Sequence, residues 1–189
     1  MRFPLPRQRI VAIVDRSGSM RPIAEEVVAA HNEFITSQRH TAPGGLTRVL
    51  FSSMCEVDAI DVDINDKCAL LDIDAYAPSG KTALFDAIGV GIELGSRANE
   101  PVIVFVVTDG FDNMSKTYGR NSLKALIDEC KEAGWKFFFM GGGDVDAQRD
   151  QAREIGIDDY EGFEMNAGSL RSASRTISER ISAARSGSE

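Results

Sequence analysis

The sequence lacks the features that indicate a disulfide framework, a zinc site or a membrane span. Its three cysteines, Cys55, Cys68 and Cys130, are odd in number, and none belongs to a CxxC pair or lies at zinc-ligand spacing from a histidine. No secretory leader is visible, and the longest apolar run, residues 102–107, is far shorter than the ~18–20 residues that cross a bilayer. We therefore expect a cytoplasmic protein with reduced thiols and no membrane association.

Positive charge is also scarce. The sequence has 21 lysines and arginines against 29 aspartates and glutamates, which gives a formal net charge of −8 at pH 7. A net negative charge repels the phosphate backbone of nucleic acids. We therefore do not expect nucleic acid as a partner.

The arrangement of apolar residues predicts alternating strands and helices in one domain over residues 1–189. Short apolar runs at residues 10–14, which is β-branched, and at residues 101–108 and 137–140 are typical of strands buried on both faces of a parallel sheet. The segments between them carry apolar residues at helical spacing: Ile23, Val27, Ala30 and Phe34, then Phe85, Ile88 and Ile92, then Leu123, Leu126, Ile127 and Cys130. Strands joined by right-handed helical crossovers form a doubly wound α/β sheet, whose ligands bind outside the carboxyl ends of the strands.

Two further strands are predicted at residues 46–53 and 56–64. The second alternates apolar and acidic residues, as an edge strand with one solvated face does, and its short connection to the first favours an antiparallel hairpin. A last helix over residues 167–184 is expected to pack on the body, with residues 186–189 as a frayed tail. The expected fold is therefore a mostly parallel sheet with one antiparallel edge strand and helices on both faces.

Small polar residues follow the predicted strands at three places. Asp15, Ser17 and Ser19 come after the first buried strand, Thr82 opens the second helix, and Asp109 ends the strand over residues 101–108. All three loops should open at the same edge of the sheet. Two carboxylates and three hydroxyls are hard oxygen donors, of the kind that suit Mg²⁺ or Mn²⁺.

This pattern resembles the metal-ion-dependent adhesion site of the von Willebrand factor A family, in which DxSxS lies in one loop, a Thr in a second and an Asp in a third. Residues 14–20, 80–88 and 107–113 all look like family sequence. Residues 140–157 are similar to the corresponding region of small stand-alone bacterial and phage-borne members. The likeness covers almost the whole chain.

The resemblance implies a non-enzymatic, metal-dependent interaction module. Ser17, Ser19 and Thr82 would bind the metal directly, and Asp15 and Asp109 directly or through water. The metal would be Mg²⁺, with Mn²⁺ or Ca²⁺ as alternatives, and an Asp or Glu of a protein partner would complete its octahedron. The resemblance suggests a larger assembly or an AAA+ ATPase as that partner.

Two alternatives remain open at this stage. A metal-assisted phosphohydrolase would use the same carboxylates, with Asp112 and Lys81 as nearby candidates for the acid and base. A structural protein would use the metal only to stabilise three loops. His31 and His40 are expected at the surface, because no spaced carboxylate or cysteine makes either of them a ligand or a base.

Overall fold

The computed structural model describes residues 5–187 and places six strands of this range in one sheet. The strands are β1 (Gln8–Asp15), β2 (Gly44–Phe51), β3 (Cys55–Asp63), β4 (Val102–Thr108), β5 (Lys136–Gly142) and β6 (Asp159–Phe163). Their order across the sheet is β3-β2-β1-β4-β5-β6, and every neighbouring pair is parallel except β2 and β3. The predicted mostly parallel sheet with one antiparallel edge strand is confirmed.

The middle of strand β1, residues 10–14, is apolar without interruption because both faces of the sheet are covered there. Ile10, Ala12 and Val14 belong to one buried cluster, whereas Val11 and Ile13 belong to another on the opposite face of the sheet. Successive side chains of a strand point to opposite faces, so two apolar layers need an unbroken apolar run.

Five α-helices of the described range cover the two faces. They are α1 (Ala24–Arg39), α2 (Leu84–Gly95), α3 (Arg120–Glu132), α4 (Val145–Glu154) and α5 (Ala167–Ser186). The first and last contribute to one buried cluster, and α2, α3 and α4 contribute to the other. Within residues 5–187, no helix combines the length and the apolar character that a bilayer crossing requires.

The element boundaries differ from the sequence prediction in a few places. Strand β6 was not predicted, because its segment is half-buried and mostly polar and lacks an apolar run. A 3₁₀ turn, Gly18–Ile23, which contains Pro22, directly precedes α1. The last helix extends to Ser186, and residues 188–189 of the expected frayed tail lie outside the described residues.

His31 is buried, so its predicted surface position is wrong. The side chain is 5% exposed, and its Nε2 lies 3.1 Å from Nη1 of Arg48, which reaches under α1 from β2. Burial, together with the nearby Arg48 charge, lowers the pKa of His31 to about 3, so the imidazole is neutral at physiological pH. His31 lies four residues after Val27 and three before Phe34, on the buried face of α1, so the helical spacing itself indicated burial. His40 is exposed, as predicted.

A buried arginine fixes the end of α5 to the body of the domain. Arg185 is 1% exposed, and its guanidinium donates to the side chains of Gln8 and Gln38 and to the backbone carbonyls of Gln38, Ala42 and Pro43. Burial lowers the pKa of Arg185 to about 10, which still leaves it charged at neutral pH. The hydrogen bonds to neutral oxygens therefore compensate for the buried charge.

Replacing Arg185 with alanine should destabilise the protein strongly. The change leaves several buried oxygens without a donor, and we expect the free energy of unfolding to fall by about 3 kcal/mol. Urea denaturation followed by circular dichroism measures the change. The control is Arg175→Ala, at an exposed position of the same helix, which should shift stability by no more than about 0.5 kcal/mol. Equal effects of the two variants would contradict the anchoring role of Arg185.

Candidate metal centre

Three loops meet at the carboxyl edge of the sheet. The first follows β1, the second precedes α2 and carries Thr82, and the third follows β4 and begins with Asp109. Strands β1 and β4 are parallel neighbours, so the residues at their carboxyl ends come together. Asp15 closes β1, and Asp109 comes directly after β4.

Four of the five predicted ligands form one hydrogen-bonded chain. The Ser17 amide donates to Oδ1 of Asp15 at 2.6 Å, and the hydroxyl oxygens of Ser17 and Ser19 lie 3.1 Å apart. The Ser19 hydroxyl donates to Oδ1 of Asp109 at 2.7 Å. The carboxylates of Asp15 and Asp109, 94 positions apart in sequence, are thus connected through the Ser17 amide and hydroxyl and the Ser19 hydroxyl.

Thr82 joins this group through packing and backbone contacts. Its amide donates to Oδ1 of Asn113, and the Asn113 amide donates back to the Thr82 carbonyl, both at 3.0 Å. The Thr82 side chain also lies against Gly110, where an added β-carbon would come within 3.0 Å of the threonine hydroxyl oxygen. A glycine after Asp109 therefore leaves the space that Thr82 needs beside the third loop.

The first and second loops are linked by backbone hydrogen bonds. The Gly18 amide donates to the Gly80 carbonyl at 3.1 Å, and the Ser79 amide donates to the Arg16 carbonyl at 2.8 Å. Gly80 has a φ of 78°, a left-handed conformation that glycine adopts without a steric penalty. Lys81, next in sequence, has its side chain exposed and its amide bonded to the Ser53 hydroxyl at 2.9 Å.

Two residues that the sequence analysis missed hold Asp15 in place. The Thr108 hydroxyl donates to Oδ2 of Asp15 at 2.6 Å, and the Tyr76 hydroxyl donates to the Asp15 backbone carbonyl. Both side chains are almost fully buried. The position of Thr108, at the end of a strand directly before Asp109, offered a signal for its role, whereas no sequence pattern connects Tyr76 with Asp15.

The two carboxylates are poorly solvated and close enough to repel each other. Asp15 is fully buried, and burial raises its pKa to about 6, with a smaller contribution from the charge of Asp109. Burial also raises the pKa of Asp109. A divalent cation would compensate both charges, so the donor set fits a hard cation such as Mg²⁺. No group of three or more His, Cys, Asp or Glu side chains suited to a metal occurs among residues 5–187, so any metal here depends on the hydroxyls.

Comparison with known proteins identifies the family to which the chain belongs. The family model of the von Willebrand factor type A domain matches residues 10–178. The chain belongs to this family. No curated protein sequence gives a significant match.

Solved structures share the fold at low sequence identity. The von Willebrand factor domain of the type V pili tip protein Mfa5 from Porphyromonas gingivalis matches with a TM-score of 0.79 and 10% identity, over 97% of each chain. The minor pilin PilB from Streptococcus sanguinis matches with a TM-score of 0.72 and 12% identity, over 98% of this chain and 63% of PilB. The pilus adhesin SpaC from Lactobacillus rhamnosus GG matches with a TM-score of 0.75 and 14% identity, over 96% of this chain and 30% of SpaC. The chain thus spans nearly all of the first relative but less than two thirds of the other two.

Replacing Thr108 tests the support of Asp15. Valine has nearly the same shape as threonine but cannot donate to Asp15, so Thr108→Val should lower the free energy of unfolding by about 1.5–3 kcal/mol in metal-free buffer at neutral pH. Thr108→Ser keeps the hydroxyl and should cost only about 1 kcal/mol for the lost methyl group. Denaturant titration measures both variants. If Thr108→Ser were less stable than Thr108→Val, the hydrogen bond from Thr108 to Asp15 would not contribute to stability as proposed.

Proposed function

We propose that this von Willebrand factor A domain is a metal-dependent protein-interaction module that binds an acidic group of its partner. The observation that carries the proposal is the hydrogen-bonded chain from Asp15 through Ser17 and Ser19 to Asp109, with Thr82 packed beside it. These five residues would hold Mg²⁺, or alternatively Mn²⁺ or Ca²⁺. The bound ion would supply an electrophilic centre for one more oxygen ligand.

The charges of the site favour an anionic ligand from outside the domain. Asp15 and Asp109 together balance the charge of one divalent cation, and the hydroxyls of the other three residues are neutral. A cation held in this way retains affinity for a further anionic oxygen. Lys81 adds an exposed positive charge beside the site. An Asp or Glu of a protein partner matches these requirements.

The exposure of the site favours binding over a purely stabilising metal. Asp15, Ser17 and Thr82 are buried, but Ser19 is exposed and Asp109 is only partly buried. The candidate ligands therefore extend from the interior to the solvent, which gives a partner access. The pilus tip protein, minor pilin and pilus adhesin that share the fold are the kinds of protein in which attachment is the expected role, and this also favours an interaction module.

The hydrogen bonds around Asp112 disfavour phosphohydrolase chemistry. Oδ1 of Asp112 accepts from the Phe85 amide at 3.1 Å and from the Ser115 hydroxyl at 2.5 Å, at the start of α2. A carboxylate engaged in this way serves the local structure and is a weak candidate for a general base. We therefore propose a non-enzymatic role.

The proposal includes a cytoplasmic location and a partner within a larger assembly, an AAA+ ATPase being one class that fits. Cys55, Cys68 and Cys130 are free thiols, which a reducing compartment preserves. The net charge of −8 disfavours nucleic acid and anionic membrane surfaces as partners.

Magnesium should stabilise the wild-type protein through the proposed ligands. At a free concentration of about 100 times the Kd, a ligand that binds only the folded state adds about 2.7 kcal/mol to stability, and the thermal midpoint rises accordingly. We expect Ser17→Ala to lose most of this response in thermal unfolding and calorimetric titration. Ser96→Ala, at an exposed position at the end of α2, should respond like the wild type. An unchanged magnesium response in Ser17→Ala would contradict the ligand assignment.

Partner binding should depend on both the metal and the threonine hydroxyl. Affinity capture from the native host, in magnesium and in EDTA, should retain a specific protein only in magnesium. Thr82→Val keeps the side-chain shape but removes the proposed ligand, so it should lose the partner, whereas Thr82→Ser should keep it. Capture that is equal in EDTA, or turnover of phosphoesters that Asp15→Ala abolishes, would refute the proposed function.

A further inference from the structure

Two large apolar side chains are exposed at the same edge of the sheet as the candidate metal centre. Phe111 lies two residues after Asp109 and is 49% exposed, and Met54 lies in the β2–β3 hairpin and is 78% exposed. Single exposed apolar residues are common and need no special explanation. These two, however, lie in loops on opposite sides of the site: Phe111 in the third loop, and Met54 next to Ser53, which binds the Lys81 amide.

The backbone around Phe111 is fixed on both sides by one buried side chain. Gln151 of α4 is 6% exposed. Its side-chain Nε2 donates to the Gly110 carbonyl at 3.2 Å, and its Oε1 accepts from the Asp112 backbone amide at 3.1 Å. Gln148 braces Gln151 by accepting a further hydrogen bond at 3.1 Å. The backbone that carries the exposed Phe111 is therefore held in place before any partner binds, which reduces the backbone entropy lost on binding.

A groove of about 390 Å³ separates the Met54 hairpin from the second loop. It is lined by Met54, Gly80 and Arg16, and by Glu56, which forms an ion pair with Arg16 at 2.5 Å. Arg16 lies between Asp15 and Ser17 in the sequence, and Gly80 accepts the backbone hydrogen bond that joins the first and second loops. The groove is thus continuous with the loops that carry the candidate ligands.

The cations near the site favour an acidic occupant. Lys81 and Arg21 are both exposed, and neither forms an ion pair with another residue in the part of the chain that the structure describes. Arg21 donates only to the Pro78 carbonyl of the second loop. Together with a bound divalent cation, these charges attract a negative segment, whereas a second copy of a chain with a net charge of −8 is repelled overall.

We propose that the partner presents an extended acidic peptide segment whose Asp or Glu binds the metal and whose neighbouring apolar side chains contact Phe111 and the Met54 groove. Phe111 is then a specificity determinant, and Gln151 positions it. An aromatic side chain beside a strong polar contact is typical of a binding hot spot. This inference rests on the proposed function, because it concerns the partner residues on either side of the Asp or Glu that binds the metal.

Synthetic peptides with one central Glu between randomised positions test the proposal in the presence of magnesium. A matched library with Gln in place of the Glu is the control for the metal-bound acid. We expect the wild-type domain to retain Glu peptides enriched in Phe, Leu or Met beside the Glu. In fluorescence polarisation, Phe111→Ala should weaken the best peptide roughly tenfold, as loss of a hot-spot contact does. Ile60→Ala, at a 61% exposed position of β3, is the control and should bind as the wild type does.

The outcomes separate this inference from the proposed function. Retention of Glu peptides no better than Gln peptides would mean that the proposed function itself is wrong. Glu peptides retained without an apolar preference, or bound equally by Phe111→Ala, would overturn only the assignment of Phe111. Loss of magnesium binding by Phe111→Ala in calorimetry would also overturn it, because the residue would then support the metal site. Magnesium-dependent dimerisation that Phe111→Ala abolishes would identify a second copy of the chain, and not an acidic peptide, as the occupant.

Discussion

The close approach of two carboxylates at the carboxyl edge of the sheet is the constraint on which this domain depends. Asp15 and Asp109 are placed there by adjacent parallel strands, and Ser17 and Ser19 connect them through the Ser17 amide and the two hydroxyls. Burial makes this costly, as the raised pKa of Asp15 indicates. A site that maintains two poorly solvated carboxylates needs either protons or a cation to balance them, and the surrounding hydroxyls favour the cation.

The rest of the fold keeps this arrangement in place. Thr108 and Tyr76 donate hydrogen bonds to Asp15, and Asn113 accepts one from the Thr82 amide and so connects Thr82 to the third loop. The two apolar clusters fix the strands from both faces, so the ends of β1 and β4 have little freedom to move. At the opposite end of the sheet, Arg185 anchors the last helix to the chain around Gln38 and Ala42. The candidate site therefore consists of loops that a rigid sheet supports.

Much of this architecture could be predicted from the sequence because its signals are local. The unbroken apolar run of β1 predicts burial on both faces, and the alternating acids of β3 predict a solvated edge. The candidate ligands could be found because each follows a strand or precedes a helix. His31 was missed although it lies on the buried face of α1, where Arg48 contacts it. Other features that were missed depend on contacts between distant segments: β6 is a half-polar segment that forms a strand by pairing with β5. Tyr76 was missed for the same reason, since 61 positions separate it from Asp15.

The most direct test of the central claim is a crystal structure of the protein grown with Mn²⁺, whose anomalous scattering locates the metal independently of the refined side chains. The account predicts one strong anomalous peak bounded by Asp15, Ser17, Ser19, Thr82 and Asp109, with a coordination position open to solvent or filled by a carboxylate from outside the domain. A peak at another location, or a site at these residues that remains empty at saturating Mn²⁺, would contradict it.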